Sequence, residues 1–342
     1  MYLKELSEIP GVSGDEDKVR NFIRERIESK LDEIRIDRMG NLIGIKKGKK
    51  SDGRLLLVAH MDEVGLMVTK INDDGTLSFA PVGGVDPRVL PGKKVRVGED
   101  KLGIVGYKAI HLQKSEEIKK PPSYENLRIY MGFSSKKEAE KEVEIGTYVS
   151  FLTKYTEENG RATGKAFDDR GGCSILMDII DLNERYDFDV YFAFVVQEEV
   201  GLRGSAILME QLHPDVALVL ETTTAGDNPE IPEYQWATHL GDGPVITFAH
   251  RGYVADKRVF QVLIETAVKH GIPFQMKRRT AGGTDAGRLA RRGRGVPAGV
   301  ISIPARYIHS PLSIMDLGDY RNTFELVKRV VEDGKIMEEV SG

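Results

Sequence analysis

Residues 192–204, FAFVVQEEVGLRG, decide the fold, because an apolar run here ends in two adjacent carboxylates and a glycine-containing loop. An uninterrupted apolar run is typical of a strand that helices cover on both faces. The acids Glu198 and Glu199 therefore stand where a buried strand ends. Functional groups of an α/β sheet gather beyond the carboxyl ends of its strands, so we expect this pair to mark the functional edge.

The segments around this stretch alternate between strand and helix patterns, which predicts an α/β sandwich. Residues 16–35 are predicted to form one amphipathic helix, because apolar residues recur there at spacings of three and four: Val19, Phe22, Ile23, Ile27 and Leu31. Further helices are predicted over 173–186, 205–212, 259–271 and 320–334, and strands over 41–48, 54–65, 189–196, 216–222, 244–250 and 298–306.

Residues 66–163 differ in character, because short alternating stretches are separated by glycine, proline and aspartate turns. This pattern predicts a small β-domain, with one short helix over 137–146 and an exposed loop over 114–127. The first 65 residues are too few to close a core alone and resemble the later α/β portion. We therefore predict a discontinuous α/β domain, residues 1–65 and 164–342, interrupted by an inserted β-rich domain over 66–163.

Composition narrows the class of protein. The 342 residues carry a formal net charge of −4 with 30% charged residues, which argues against a nucleic-acid partner. No window is apolar enough to span a bilayer and the first residues lack an apolar signal segment, so we expect no membrane partner and a cytoplasmic location. The single cysteine, Cys173, lies in an apolar run and is predicted to be a packed, reduced thiol.

Acids or histidines follow the apolar runs of several predicted strands, and two further acids precede a helix: His60, Asp62, Glu198, Glu199, Glu221 and His309, with Asp168 and Asp169. Taken singly, a histidine is more often a hydrogen-bonded core residue, and an acid pair is more often a cap or a solvated turn. At a common edge, several carboxylates would repel one another unless positive charge lay among them. Two imidazoles and several carboxylates suit zinc, cobalt or manganese, and the acids suffice for two ions that share a bridge.

Six sequence blocks together resemble the tetrahedral and glutamyl aminopeptidases, enzymes with two cocatalytic metal ions, some of which are labelled endoglucanases. The blocks stand in the family's order along the chain: HMDEVG at 60–65, KAFDDRGG at 165–172, QEEVGLRG at 197–204, ETTTAGD at 221–227, GGTDAG at 282–287 and PARYIHSP at 304–311. The resemblance implies a zinc-aminopeptidase-type α/β sandwich as the catalytic domain. It also implies that the inserted domain is β-barrel-like and serves dimerisation.

The resemblance assigns ligands to two divalent ions per subunit, zinc or cobalt. It implies His60, Asp168 and Glu221 at one ion, and Asp168, Glu199 and His309 at the other, with Asp168 as the bridge. Asp62 would orient the His60 imidazole, and the peptide bond between Asp168 and Asp169 would be cis. Many members of the family carry aspartate where this chain has Glu221, so the reach of that ligand stays open.

Glu198 is predicted to be the general base, because its neighbour Glu199 would be a ligand. It would take a proton from water that the ions activate and pass it to the leaving amine. The loop GGTDAG is predicted to line the substrate pocket through Gly283, Thr284 and Asp285, and a plain helix N-terminus capped by Thr284 or Asp285 is the alternative. The basic residues of 277–294 favour a solvated or subunit-contact face, with attraction of acidic peptides as the alternative.

The leading hypothesis is a metal-dependent aminopeptidase that removes the N-terminal residue of short peptides. A glycoside hydrolase of the endoglucanase type is the first alternative, because glycoside hydrolysis also uses a pair of carboxylates. An oligomeric scaffold without activity is the second, and the competent residue at every ligand position opposes it. The resemblance further implies a homo-oligomer, in which dimers assemble into a tetrahedral dodecamer. The preferred N-terminal residue and the physiological metal stay open.

Overall fold

The structure is a computed structural model that describes residues 1–340. Its α-helices are α1 (Leu3–Glu8), α2 (Asp17–Ile27), α3 (Ser115–Ile118), α4 (Lys136–Ala139), α5 (Phe167–Asp181), α6 (Leu208–Leu212), α7 (Lys257–Lys269), α8 (Ala286–Leu289), α9 (Leu317–Asp333) and α10 (Lys335–Val340). Its strands are β1 (Glu33–Ile36), β2 (Leu42–Lys46), β3 (Arg54–His60), β4 (Gly65–Ile71), β5 (Leu77–Val82), β6 (Lys94–Val97), β7 (Lys101–Gly106), β8 (Arg128–Tyr130), β9 (Tyr148–Phe151), β10 (Thr156–Glu158), β11 (Arg161–Gly164), β12 (Asp189–Val195), β13 (Val216–Thr224), β14 (Val245–Ile246), β15 (Ala249–His250), β16 (Tyr253–Val254), β17 (Gln275–Met276), β18 (Ala298–Arg306) and β19 (Ser313–Asp316).

A large sheet forms the centre of the molecule. Its strands follow the order β1-β2-β12-β3-β13-β18-β19-β11-β10, and the short strands β14 and β17 add to it beside β18. The four central strands β12, β3, β13 and β18 are parallel, whereas β2 and β19 flank them in antiparallel pairing. Because parallel strands end at the same edge, the polar residues that follow these four strands come together there.

Alternating side chains of each central strand enter two separate core layers. On β3, Leu55 and Leu57 pack with α1, α2, α5 and α9 in one layer, whereas Leu56 and Val58 pack with α6 and α8 in the other. Cys173 is buried in the first layer as a free thiol. A strand buried on both faces needs the continuous apolar run that the sequence shows at β3 and β12.

Six strands between Gly65 and Phe151 close a separate barrel in the order β4-β5-β8-β7-β6-β9. Its interior is a third apolar cluster, in which Leu66, Phe79, Val95 and Ile129 are buried. Two strands of the predicted inserted segment 66–163, β10 and β11, instead pair with the large sheet, where β11 lies against β19. The predicted fold class, an α/β sandwich that carries a small barrel, is confirmed.

Some predicted elements were wrong in their extent. The helix predicted over 16–35 ends at Ile27, and Glu33–Ile36 forms the edge strand β1. Leu31 leaves the helical stripe, because its side chain packs on Gly44 of β2, where a Cβ would lie 2.5 Å from Leu31 Cδ1. The strand predicted over 244–250 is broken into β14 and β15, and the loop predicted over 114–127 contains the short helix α3. Among residues 1–340, no helix has the length and apolarity required to cross a bilayer.

Candidate metal centre

The residues predicted as ligands converge at the carboxyl edge of the four parallel strands. His60 ends β3, Glu221 lies in β13, the pair Glu198 and Glu199 follows β12, and His309 follows β18. Three groups have ligand atoms that all lie within 4.8 Å of one another: His60, Glu198 and Glu199; His60, Asp169 and Glu221; and Asp168, Glu199 and His309. Histidine and acidic side chains therefore lie close enough together to hold metal ions.

His60 is buried, and its two ring nitrogens face different partners. Nδ1 lies 3.1 Å from the backbone oxygen of Asp62, whereas Nε2 lies 3.3 Å from Asp168 Oδ1 and 3.7 Å from Glu221 Oε2. A proton on Nδ1 would donate to Asp62 and leave the Nε2 lone pair directed at the carboxylates. Burial alone would lower the pKa of His60, but its contacts with Asp168 and Asp62 raise that pKa well above the usual value.

His309 repeats this arrangement on the other side of the cluster. Its Nδ1 lies 3.0 Å from the backbone oxygen of Gly84, and its Nε2 lies 3.5 Å from Asp168 Oδ2 and 3.6 Å from Glu199 Oε2. Burial acts to lower the pKa of His309, but the carboxylates of Asp168 and Glu199 raise it to about 10. Both imidazoles therefore present Nε2 to carboxylates.

Asp168 stands between the two imidazoles, with one carboxylate oxygen toward each. Burial would raise the pKa of this carboxyl, but the hydrogen bonds with His309 and His60 hold it well below its usual range. The peptide bond from Asp168 to Asp169 is cis. The Asp169 carboxylate is turned to the backbone, because it accepts the N–H groups of His60 at 3.3 Å and Gly172 at 3.0 Å.

Asp62 connects the His60 strand to the Glu198–Glu199 turn. Its carboxylate is fully buried and accepts the backbone N–H of Glu198 at 2.9 Å and that of Glu199 at 3.1 Å. It also accepts the Ser13 hydroxyl at 2.5 Å, and its Oδ1 lies 3.4 Å from His60 Nδ1. The structure thus places Asp62 beside His60 and also at the turn that carries both glutamates.

Glu198 faces the site without a fixed partner. Among residues 1–340, no side chain or backbone group hydrogen-bonds its carboxylate, and burial raises its pKa well above the usual range. Burial also raises the pKa of Glu199 to about 7 and that of Glu221 well above its usual range. Burial thus acts against ionisation at three neighbouring carboxyls of the site.

These side chains open into a cavity of about 690 Å³. Gly283 and Thr284 lie in its wall, whereas Asp285 is buried behind the wall and accepts a hydrogen bond from the Ser205 hydroxyl. Thr284 Oγ1 also lies 3.3 Å from the N–H of Ala286, the first residue of α8, whereas the N-cap residue Asp285 makes no capping side-chain hydrogen bond. Gly283 and Thr284 thus line the cavity, and the role of the GGTDAG loop in substrate binding stays a prediction.

A buried ion-pair network lies next to the segments that carry His60 and Asp168. Glu63, next to Asp62, accepts hydrogen bonds from Lys165 Nζ at 2.6 and 2.8 Å and lies 3.8 Å from the Arg170 guanidinium. Arg170 is fully buried and donates to the backbone oxygen of Met61 at 2.6 Å. Removing one partner of such a network typically costs about 3–5 kcal/mol, because a buried charge is left unpaired. The network therefore holds the His60 and Asp168 loops together.

Several residues of the site were not predicted from the sequence. Ser13 and Gly84 contact Asp62 and His309, and Lys277 lines the cavity at the end of β17. Neither Ser13 nor Gly84 follows a strand of the large sheet, so the strand-end argument could not find them. The sequence shows Lys277 only as one member of a basic cluster, whereas in the structure it is half-buried and burial lowers its pKa.

A mixed sheet whose four central strands are parallel, with such a cluster at their carboxyl edge, defines the class of protein as an α/β enzyme. The family model of the M42 glutamyl aminopeptidases matches residues 40–326. The chain belongs to this family, and it is a hydrolase that acts on peptide bonds. The resemblance that the six sequence blocks carry is thereby confirmed.

Individual relatives agree with the family. A putative aminopeptidase of Acetivibrio thermocellus is 37% identical over 329 residues, which cover 96% of this chain and 97% of that protein. Among solved structures, an endoglucanase by name from Thermotoga maritima is 57% identical over 99% of each chain, with a TM-score of 0.84. An aminopeptidase from Desulfurococcus kamchatkensis is 38% identical over 99% of this chain and 96% of its own, with a TM-score of 0.94.

For one further relative, the assemblies that it forms are known. The TET1 peptidase of Pyrococcus horikoshii is 30% identical, covers 97% of this chain and 98% of its own, and has a TM-score of 0.86. That peptidase can assemble into a tetrahedron or a large octahedral shell.

Proposed function

We propose that this protein is a dinuclear metallo-aminopeptidase that removes the N-terminal residue of short peptides. The observation that carries the proposal is the position of Asp168, whose two oxygens lie 3.3 and 3.5 Å from the Nε2 atoms of His60 and His309. A carboxylate between two imidazoles, each with Nδ1 held by a backbone carbonyl, fits the bridge between two divalent ions.

One ion would be held by His60, Asp168 and Glu221, and the other by Asp168, Glu199 and His309. Asp169 also lies near His60 and Glu221, but its carboxylate already accepts two backbone N–H groups, which favours Asp168 as the ligand. The mixture of nitrogen and oxygen donors suits zinc or cobalt. Such a pair of divalent ions supplies Lewis acidity, which polarises the scissile carbonyl and lowers the pKa of water.

Glu198 is the proposed proton carrier. Its carboxylate has no fixed partner among the described residues, and it lies in the wall of the cavity beside Glu199. It would accept the proton of the attacking water and deliver it to the leaving amine. Asp62 would hold Glu198 and Glu199 in place through their backbone N–H groups.

The cavity is the proposed determinant of which end of a peptide reacts. It is rich in carboxylates where the substrate would bind, so a free amino terminus can pair with an acid there. Gly283 and Thr284 are the proposed substrate contacts in the cavity wall, and Asp285 would support them from behind. The wall also carries Lys277, Arg279 and Ile308, so substrates with acidic and apolar first residues both belong in the test.

The name of the Thermotoga maritima relative favours a second candidate function, hydrolysis of a β-glucan chain. Two carboxylates suffice for that reaction, and the histidines would then have no part in it. The placement of both imidazoles against Asp168 opposes this reading, because glycoside hydrolysis requires no metal ligands of this kind.

The barrel is the proposed dimerisation unit. An apolar surface, here called the outer barrel face, is formed by Leu102 and Ile104 of β7 and Tyr130 of β8, which are 61%, 49% and 53% exposed. Ile104 and Tyr130 are directly paired across the two strands, so the three side chains form one patch. Together with the assemblies of the Pyrococcus horikoshii relative, this patch supports a homo-oligomer, and a tetrahedral dodecamer is the proposed form. The cytoplasmic location stays a prediction.

The proposal is tested with a panel of aminoacyl chromogenic substrates and carboxymethyl cellulose. The protein is stripped with a chelator and then assayed alone and after addition of zinc or cobalt. We expect aminoacyl hydrolysis that disappears on chelation and returns with metal. Cleavage of cellulose but of no aminoacyl substrate would overturn the proposal in favour of the glycosidase.

Glu198→Gln tests the proton carrier in the same assay. We expect kcat to fall about 10²- to 10⁴-fold, which is the usual contribution of a general base, while two ions per subunit remain bound. Glu233→Gln is the matched control, because Glu233 is exposed and lies outside the cluster. Unchanged turnover of Glu198→Gln would contradict the role assigned to this residue.

A further inference from the structure

A loop of the barrel contacts the candidate metal centre. Gly83 and Gly84 directly follow β5, and the Gly84 carbonyl lies 3.0 Å from His309 Nδ1. His309 Nε2 can offer a lone pair to a cation only if the ring proton is on Nδ1, where the Gly84 carbonyl accepts it. The orientation of this imidazole therefore depends on a residue of the barrel, although His309 itself belongs to the α/β unit.

The two glycines allow a closer approach to the ligands than a residue with a side chain would. A Cβ on Gly84 would lie 3.1 Å from His309 Nδ1, and a Cβ on Gly83 would lie 3.2 Å from the Cβ of Glu199. Gly83 also has a φ of +78°, a backbone conformation that favours glycine. The loop thus touches the two side chains that would join Asp168 at one of the two ions.

The barrel, and not the large sheet, anchors this loop. The Tyr124 hydroxyl donates to the carbonyl of Val85, the residue after Gly84, and the Tyr124 ring packs edge-on against Phe79 of β5. Val85 itself is buried in the barrel interior. The position of the Gly84 carbonyl is therefore set by packing inside the barrel.

The His60 side of the cluster has no such dependence. His60 Nδ1 is held by Asp62, two residues further along the chain, and Asp62 is held by Ser13 and by the Glu198–Glu199 turn. All these contacts lie within the α/β unit. The two imidazoles are thus oriented by two different parts of the molecule.

We infer that the Gly83–Gly84 loop is a positioning element for the ion held by Asp168, Glu199 and His309, so that the barrel sets the affinity of this one site. The inference rests on the proposed dinuclear function. The Gly84 carbonyl fixes the ring and the tautomer of His309, and it is not itself one of the proposed metal ligands. The ion held by His60, Asp168 and Glu221 does not depend on the loop.

The test is a zinc or cobalt titration of metal-free protein, followed by calorimetry and by the metal content after dialysis. In Gly84→Ala, the added methyl group pushes against His309. We expect the affinity for the ion held by Asp168, Glu199 and His309 to fall about 10- to 100-fold, which is typical when a residue that hydrogen-bonds a metal ligand is changed. The ion held by His60, Asp168 and Glu221 should bind as in the wild type. Excess metal should then restore kcat.

Two further variants complete the design. Tyr124→Phe removes the anchor of the loop without touching a glycine, so we expect a smaller loss, of a few-fold, at the same ion. Gly132→Ala is the control, because Gly132 lies after β8 at the barrel with no other atom within 4 Å of its Cβ position. We expect Gly132→Ala to lower the melting temperature at most and to leave both ions unaffected.

Wild-type affinity for both ions in folded Gly84→Ala would overturn the inference. If Gly84→Ala does not fold, wild-type affinity in Tyr124→Phe has the same force. A wild-type protein that binds fewer than two ions would instead contradict the dinuclear function, so the two failures are distinguishable.

Discussion

The two imidazoles of the candidate metal centre occupy contrasting environments. The His60 side chain is 2% exposed and its surroundings come from the α/β unit, whereas the His309 side chain is 41% exposed and contacts the barrel loop. The same type of ligand is therefore oriented once within the α/β unit and once at the junction between that unit and the barrel. This difference predicts a tight ion on the His60 side and a weaker ion on the His309 side, because a ligand whose position is fixed in advance loses less freedom on binding.

The largest effect is expected from removing Asp168, the residue that the His60 side and the His309 side of the metal centre share. Asp168→Ala would take one oxygen from each of the two proposed ions, so we expect the protein to lose both metals. We expect its aminopeptidase activity to fall on the order of 10⁴-fold, since each loss of about 1.4 kcal/mol of charge stabilisation slows the reaction tenfold. Metal analysis and a chromogenic assay measure the two effects. If Asp168→Ala still bound two ions, Asp168 would not be the bridging ligand.

Replacing the imidazoles one at a time sharpens the contrast. We expect His309→Ala to abolish only the weaker step of a metal titration and His60→Ala to abolish the tighter step, with activity reduced on the order of 10³-fold in each case. Calorimetry with zinc or cobalt distinguishes the steps. His111→Ala, in the barrel segment outside the cluster, is the control. Identical affinities for the remaining ion in the two variants would show that the halves are equivalent.

Asp62→Asn tests the internal support of the His60 half. The carboxylate accepts from Ser13, Glu198 and Glu199, and an amide oxygen cannot satisfy all three donors. We expect activity to fall about 10- to 100-fold, with a matching loss of metal affinity.

The control for Asp62→Asn is Asp319→Asn, because Asp319 is also buried and accepts the backbone N–H groups of Gly241 at 2.7 Å and Gly243 at 2.8 Å away from the cluster. This control should lower stability and leave metal affinity unchanged. Equal effects of the two variants on metal binding would reduce Asp62 to a structural role.

The smallest effect on turnover is expected from the outer barrel face. The double variant Leu102→Asp and Ile104→Asp places charges in the proposed dimer contact, so we expect the assembly to dissociate while kcat for small substrates changes less than about tenfold. Light scattering coupled to gel filtration measures the mass. Val268→Asp is the control, because Val268 is 67% exposed on α7 outside the barrel. An unchanged mass of the double variant would show that this face is not the contact.

The sequence predicts the position of those site residues that lie directly at the end of a strand. Glu198 and Glu199 follow an apolar run, and His60 ends another, so their nearness follows from the parallel sheet rule alone. The second role of Asp62 was not predictable, because its bonds to the glutamate N–H groups join segments 136 residues apart. Nor was the end of α2 at Ile27, because Leu31 is drawn to Gly44 by packing that helical periodicity does not encode.

By itself, the sequence determined the strand and helix patterns, the residue types at each strand end and, through six blocks, the family. These features are local, since periodicity and the place where an apolar run stops are read within one segment. Only the tertiary structure decided which part of the molecule orients each imidazole. The contact between Gly84 and His309 spans 225 positions of the chain, and it exists because the packing of the barrel carries a glycine loop to the edge of a separate sheet.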